Sequence, residues 1–201
     1  MMDATREEAM STVKETAPSE AQRAVATLVL AFSADPVSRW AYPDPAQYLA
    51  HFPAVVQAFG GRAFAGGTGH QVDDFAGAAL WLPPGVGLDE EAMAVIMERS
   101  IAAERQAEVF GVFEQMGGYH PREPHWYLPL IGVEPARQGR GLGSALLQHA
   151  LARWDREHAP AYLESTNPAN ISLYRRHGFE ALGTIQAGSS PPIVPMLRAA
   201  R

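Results

Sequence analysis

Apolar residues recur along this chain in two periods, and the switches between them lay out the elements. In "PSEAQRAVATLVLAF" Ala24, Leu28 and Phe32 fall at helical spacing behind Pro18-Ser19, which predicts a helix ended by Asp35-Pro36. "PAQYLAHFPAVVQAFG" predicts a second helix, kinked or divided at Pro53 and closed by Gly60-Gly61. "AFAGG" and "FAGAALWLPPG" read as strands joined by a turn over 66–74, and "STVKET" as a short first strand. Residues 89–116 carry one long or two consecutive helices, stopped by Gly117-Gly118. "HWYLPLIGV" then reads as a strand, "GSALLQHALARWDREH" as a helix, "AYLEST" as a strand and "PANISLYRRH" as a helix ended by Gly178. "FEALGTI" and "IVPMLR" close the chain as strands.

The size and composition fit one globular unit. With 201 residues, 47% hydrophobic and 19% charged, the chain buries roughly 70% of its unfolded surface around one core. The expected organisation is a frayed tail over 1–10 and one domain over 11–201. A formal charge of -6 argues against a general nucleic-acid binder, which carries a basic excess. The absence of cysteine removes disulfides, thiolate metal sites and a cysteine nucleophile. No apolar leader and no run of membrane-spanning length is present, so a cytoplasmic protein without a membrane partner is expected. The seven histidines show no metal-ligand spacing, and no metal is expected.

The chemistry concentrates in "IGVEPARQGRGLGSALLQHAL", residues 131–151, where a strand gives way to a glycine-rich loop and then a helix. A helix start leaves backbone N–H groups unpaired and pointing at one spot, and glycine lets a phosphate approach them. The Walker pattern requires G-K-[ST], but no lysine precedes Ser144. A dinucleotide fingerprint would read Gly139, Gly141 and then Ser144, outside any repeated strand-helix-strand series. Gln138, Gly141 and Gly143 fit Q-x-x-G-x-G instead, just after Val133-x-Pro135.

That pattern resembles the coenzyme A loop of the GNAT superfamily of acyl-CoA-dependent N-acetyltransferases. "NPANISLYRRHGF", 167–179, resembles the family's downstream segment, with an asparagine seven residues before a tyrosine. The wider run 123–179, including "LEST", is similar to the puromycin N-acetyltransferase-type branch. The resemblance implies an α+β fold whose mixed, mostly antiparallel central sheet is splayed between its fourth and fifth strands and flanked by helices. It implies acetyl-CoA as co-substrate, held by Ile131, Gly132, Val133, Gln138, Gly139, Arg140, Gly141, Leu142, Gly143, Ser144, Asn167, Asn170 and Tyr174. Arg137 is a further phosphate partner. Pro129, which removes a ladder N–H, suits a strand that parts from its neighbour, and the N–H groups of Ile131 and Val133 are then free for the cofactor or an oxyanion.

Tyr174 is either a core aromatic or, by resemblance, the acid that protonates the leaving thiolate. Glu164 is either a surface carboxylate or the base for the amine, with Asp35, Glu123 and His125 as rivals. Without a cysteine or a G-x-S-x-G elbow, direct attack in a ternary complex on a primary amine of a small molecule is the expected route. A non-catalytic coenzyme A-binding module or sensor is the competing reading. The acceptor pocket is expected from 34–45 and 117–125, with Trp40, Tyr42, Tyr119, Trp126, Asp35 and Asp44 about it. The protein is expected to be a monomer or homodimer.

Overall fold

A computed structural model describes residues 11–201; the expected tail, 1–10, lies outside the described residues. Seven strands follow the chain as β1 Val13–Glu15, β2 Gly69–Val72, β3 Gly77–Leu82, β4 Trp126–Val133, β5 Ala161–Ser165, β6 Glu180–Ala181 and β7 Val194–Arg198. They form one sheet in the order β1-β2-β3-β4-β5-β7-β6. Every neighbouring pair is antiparallel except β4–β5. The helices are α1 Ala21–Ala31, α2 Pro36–Ala41, α3 Pro45–Gly60, α4 Arg62–Ala65, α5 Glu90–Ser100, α6 Ala103–Tyr119, α7 Leu142–Arg156 and α8 Ile171–Arg176. This is the expected mixed α/β architecture, with strands from both ends of the described chain in one sheet.

Strand alternation divides the core between the two sheet faces. On one face Leu80, Leu82, Tyr127 and Tyr162 pack beneath α1 and α3 with Leu28, Tyr48, Phe52 and Val56. On the other, Trp81, Trp126, Leu128 and Leu163 meet the α7 stripe of Leu146, Leu147, Leu151 and Trp154. Each fully buried leucine there contributes about 1.5–3 kcal/mol. Trp126 stacks on Trp154 with ring centroids 3.5 Å apart. Gly132 permits the close approach of α1, since a Cβ there would stand 2.5 Å from that of Ala31.

The sheet parts between its fourth and fifth strands, as the resemblance implies. β4 pairs with β5 at Trp126↔Ala161, Tyr127↔Tyr162 and Leu128↔Leu163. Pro129 follows, and the rest of β4 continues on its β3 side alone, through Ile131↔Ala79, Gly132↔Ala78 and Val133↔Gly77. The parting leaves one edge of β4 open.

Several local expectations are corrected. "AFAGG" is not a strand: Arg62–Ala65 form α4, whose buried Phe64 lies against Gly69, where a Cβ would meet the ring at 3.1 Å. β2 begins at Gly69, inside the expected turn, because β1 and β3 flank it on both sides. The turn itself is Asp73, Asp74 and Phe75, all at positive φ. Asp35-Pro36 opens α2 rather than ending α1, because the Asp35 carboxylate accepts from Val37 and Ser38 N–H. α3 is not divided at Pro53, which lies inside it. α6 passes through Gly117-Gly118 to Tyr119, whose ring lies against Gly183.

Candidate active site

The open edge of β4, the α7 start and the segment from β5 to α8 enclose a cleft of about 680 Å³. That is a ligand-sized volume. The α7 N-terminus forms one wall. Gly139 and Gly141 hold φ of 75° and 80°, and a Cβ at either would meet nothing within 4 Å. Backbone conformation, not space, therefore requires glycine there. Gly141 is the helix N-cap and no side chain caps this end, so the first N–H groups of α7 remain open beside the cleft lined by Gly141, Leu142, Gly143 and Ser144.

The direction of the β4 N–H groups follows from one bond. Glu134 N–H donates to Ala76 O on the β3 side at 2.9 Å. By alternation Gly132 N–H shares that direction, and those of Ile131 and Val133 face the cleft. Gln138 Nε2 donates to Val133 O at 3.2 Å, which ties the loop to the strand. Gly132 lines the cleft too, although its N–H faces β3.

Across the cleft, Asn167 caps the turn before α8, its Oδ1 accepting from Ala169 N–H at 3.0 Å. The cap reading is thus correct for that oxygen, and the amide NH2 remains for a ligand. Asn170 is exposed on the same wall. Ser144 Oγ pairs with His177 Nε2 at 2.8 Å and fastens α7 to the end of α8. Arg137 lines the wall and lies 3.9 Å from Glu134, whereas Arg140 is exposed and outside the lining.

Tyr174 is 5% exposed and lines the cleft. Burial, aided by the Asp35 charge, raises its hydroxyl above the usual phenol value, so it carries its proton at neutral pH. Glu164, half-buried on the same cleft, is pushed up to about 7 by burial. The Tyr127 and Tyr162 hydroxyls offset part of that rise. They do so without closing the network, since Glu164 Oε1 and the Tyr162 hydroxyl both lack a hydrogen-bond partner among the described residues. A carboxyl poised near 7 and a protonated phenol on one cleft make an acid–base pair whose members differ by environment.

The rivals separate by position. Asp35 is 5% exposed and lines the cleft, with Oδ1 capping α2 and Oδ2 accepting from Thr166 Oγ1 at 2.6 Å. Glu123 and His125 line a second cleft, of about 450 Å³, together with His120 and Arg122. There His125 Nε2 stands 3.0 Å from His120 Nε2. Thr166, Ser172 and Arg176 line the first cleft and were not singled out from the sequence. Thr166 ends the quoted "LEST", so a local signal existed; the other two sit on a helix whose exposed face has no distinguishing pattern. Of the expected acceptor walls, Trp126 belongs to the α7-side core, Tyr42 is buried with its hydroxyl 2.7 Å from Ser100 Oγ, and Asp44 caps α3.

Among the described residues no helix is long and apolar enough to cross a membrane, and no group of three or more His, Asp or Glu is arranged to hold a metal.

Residues 97–181 match the family described as acetyltransferase (GNAT) domain. An uncharacterized N-acetyltransferase of Schizosaccharomyces pombe is 29% identical over 184 residues, covering 79% of this chain and 70% of that one. Mycothiol acetyltransferase of Mycolicibacterium gilvum is 41% identical over 63 residues, 27% of this chain and 21% of its own length. The chain thus spans about a fifth of that second relative. Among solved structures, "histone acetyltransferase HPA2 and related acetyltransferase" from Corynebacterium glutamicum superposes with a TM-score of 0.69 at 28% identity, covering 95% of this chain and 97% of the other. The glycine cradle and the parting of the sheet fall within the matched segment 97–181, which is similar to a GNAT acetyltransferase domain, and the fold is the one these structures share.

Proposed function

We propose that this protein moves an acetyl group from acetyl-CoA to a primary amine of a small molecule by direct attack within a ternary complex. The observation that carries the reading is the meeting, on one cleft, of an uncapped helix N-terminus, a carboxyl pushed up to about 7 and a buried protonated tyrosine. The coenzyme supplies the activated acyl group when bound. Gly139 to Ser144 would hold its pyrophosphate through backbone N–H groups, and Asn167 and Asn170 would hold its arm. Ile131 and Val133 N–H, aimed into the cleft, donate to the carbonyl oxygen as charge builds there. Glu164 takes the amine proton, and Tyr174 gives its proton to the departing sulfur. We assign the acceptor to amphipathic amines, in keeping with the resemblance of 123–179 to the puromycin N-acetyltransferase-type branch.

Two measurements test this. Calorimetry should show acetyl-CoA binding and neither ATP nor NAD binding comparably; ATP binding tighter than acetyl-CoA would overturn the assignment of the cradle. Free-thiol release from acetyl-CoA with a panel of primary amines should show turnover that rises with pH through about 7 as Glu164 ionises. Tight coenzyme binding with no turnover on any amine would make the protein a binding module instead.

A further inference from the structure

Tyr162 and Glu164 stand two residues apart on one face of β5, and the parallel register sets Tyr127 of β4 opposite Tyr162. Both tyrosines are buried, at 0% and 4% exposure for Tyr162 and Tyr127. Their rings are fixed by edge contacts: His120 lies 5.0 Å from Tyr162 and 4.9 Å from Tyr127, and His125 lies 5.8 Å from Tyr162. Phe59 packs edge-on to Tyr127 at 6.4 Å. Rings held on several sides cannot swing their hydroxyls away. Yet the Tyr162 hydroxyl and Glu164 Oε1 are buried with no partner among the described residues. Leaving such groups unpaired is costly, and their retention points to a ligand that pairs them.

We propose that the Glu164 carboxylate and the hydroxyl oxygens of Tyr162 and Tyr127 form a three-oxygen clamp for the ammonium group of the acceptor. The inference rests on the transferase reading and adds which residues select the acceptor. A primary ammonium presents three N–H donors to three oxygens, whereas a quaternary ammonium presents none and an alcohol one. An anion would be repelled by the Glu164 carboxylate. Once the ammonium is seated, Glu164 takes one of its protons: the N–H bond breaks, an O–H bond forms on the carboxylate, and the freed lone pair stays on nitrogen for attack. Burial keeps both tyrosines protonated throughout. The titratable groups beside this network are Tyr119 and His120 at the end of α6 and His125 before β4.

The test compares wild type with Tyr162→Phe and Tyr127→Phe, using butylamine and 2-phenylethylamine as acceptors. Removing one charge-assisted hydrogen bond should raise KM for either amine about 10- to 100-fold and leave KM for acetyl-CoA within twofold. The acid limb of kcat/KM should move to higher pH, because a hydroxyl that holds Glu164 down is gone. Tm should change little for Tyr162→Phe, since the buried ring and its packing are kept. Unchanged amine KM with an unmoved limb, or equal losses on both substrates, would overturn the clamp. Calorimetry of the same amines on the coenzyme A complex keeps the two readings apart. Amine binding that depends on Tyr162 but leads to no acetylation supports the clamp and sinks the transferase; acetylation indifferent to both variants sinks the clamp alone. If neither amine binds or is acetylated, both are wrong.

Discussion

The proposed proton transfers rest on two side chains, Glu164 and Tyr174, whose environments tune them in one direction. Burial disfavours the charged form of each, so Tyr174 stays protonated at neutral pH and Glu164 reaches ionisation near 7. Tyr174→Phe keeps the ring, its edge contact with Phe179 at 6.2 Å and its packing, and removes only the proton. It should lower kcat by about 10² to 10⁴ at pH 7, much more than it weakens acetyl-CoA binding. A thiolate leaves unaided above its own pKa, so the deficit should shrink as pH rises. Activity within about threefold of the parent at pH 7, on an amine for which chemistry is rate-limiting, would return Tyr174 to the core.

At the scale of elements, the site is a junction. A strand that loses its neighbour at Pro129 delivers two outward N–H groups, and a helix that begins on glycine delivers several more at the far end of the same loop. Gly141 links these parts because its φ of 80° turns the chain into α7. Asn and Asp tolerate that conformation at a cost of about 1 kcal/mol, so the pair of variants separates shape from charge. Gly141→Asn should fold and retain part of the acetyl-CoA affinity. Gly141→Asp should fold equally well and lose most of it, because a carboxylate then stands where phosphate must approach. Equal affinities of the two variants in calorimetry would show the loop to be a turn and no more.

For the molecule as a whole, burying Glu164, the proposed base, is a burden on stability. Glu164 titrates near 7 in the fold and near 4.5 when unfolded, so its contribution is fully present below 4.5 and is lost as pH rises through 7. The displacement corresponds to about 3 kcal/mol at most. Glu164→Gln should therefore raise Tm at pH 8 by more than about 2 °C relative to wild type, while abolishing most activity. At pH 4.5 the gain should vanish, since both side chains are then largely neutral. A gain of the same size at both pH values would show that Glu164 is not held protonated by burial.

What the sequence by itself determined is what sits contiguously in it. The glycine loop and the helix behind it occupy neighbouring residues, so the spacing of Gln138, Gly141 and Gly143 against an apolar stripe was enough to place a glycine-rich turn at the start of α7. The parting of the sheet at Pro129 and the wall formed by Asn167 to Tyr174 were expected only through the family resemblance. Where local signal and packing disagreed, packing won: Gly69 is in a strand because β1 and β3 hydrogen-bond to it, and Phe64 is in a helix because its ring needs the space that glycine leaves. The acceptor side was not legible at all. Asp35 meets Thr166 across 131 residues, and Tyr127 meets Tyr162 only through the β4–β5 register. The tuning of Glu164 likewise comes from burial, which no spacing encodes. Contacts between distant segments exist only once the sheet has formed, and they alone decide which carboxylate is poised to take a proton.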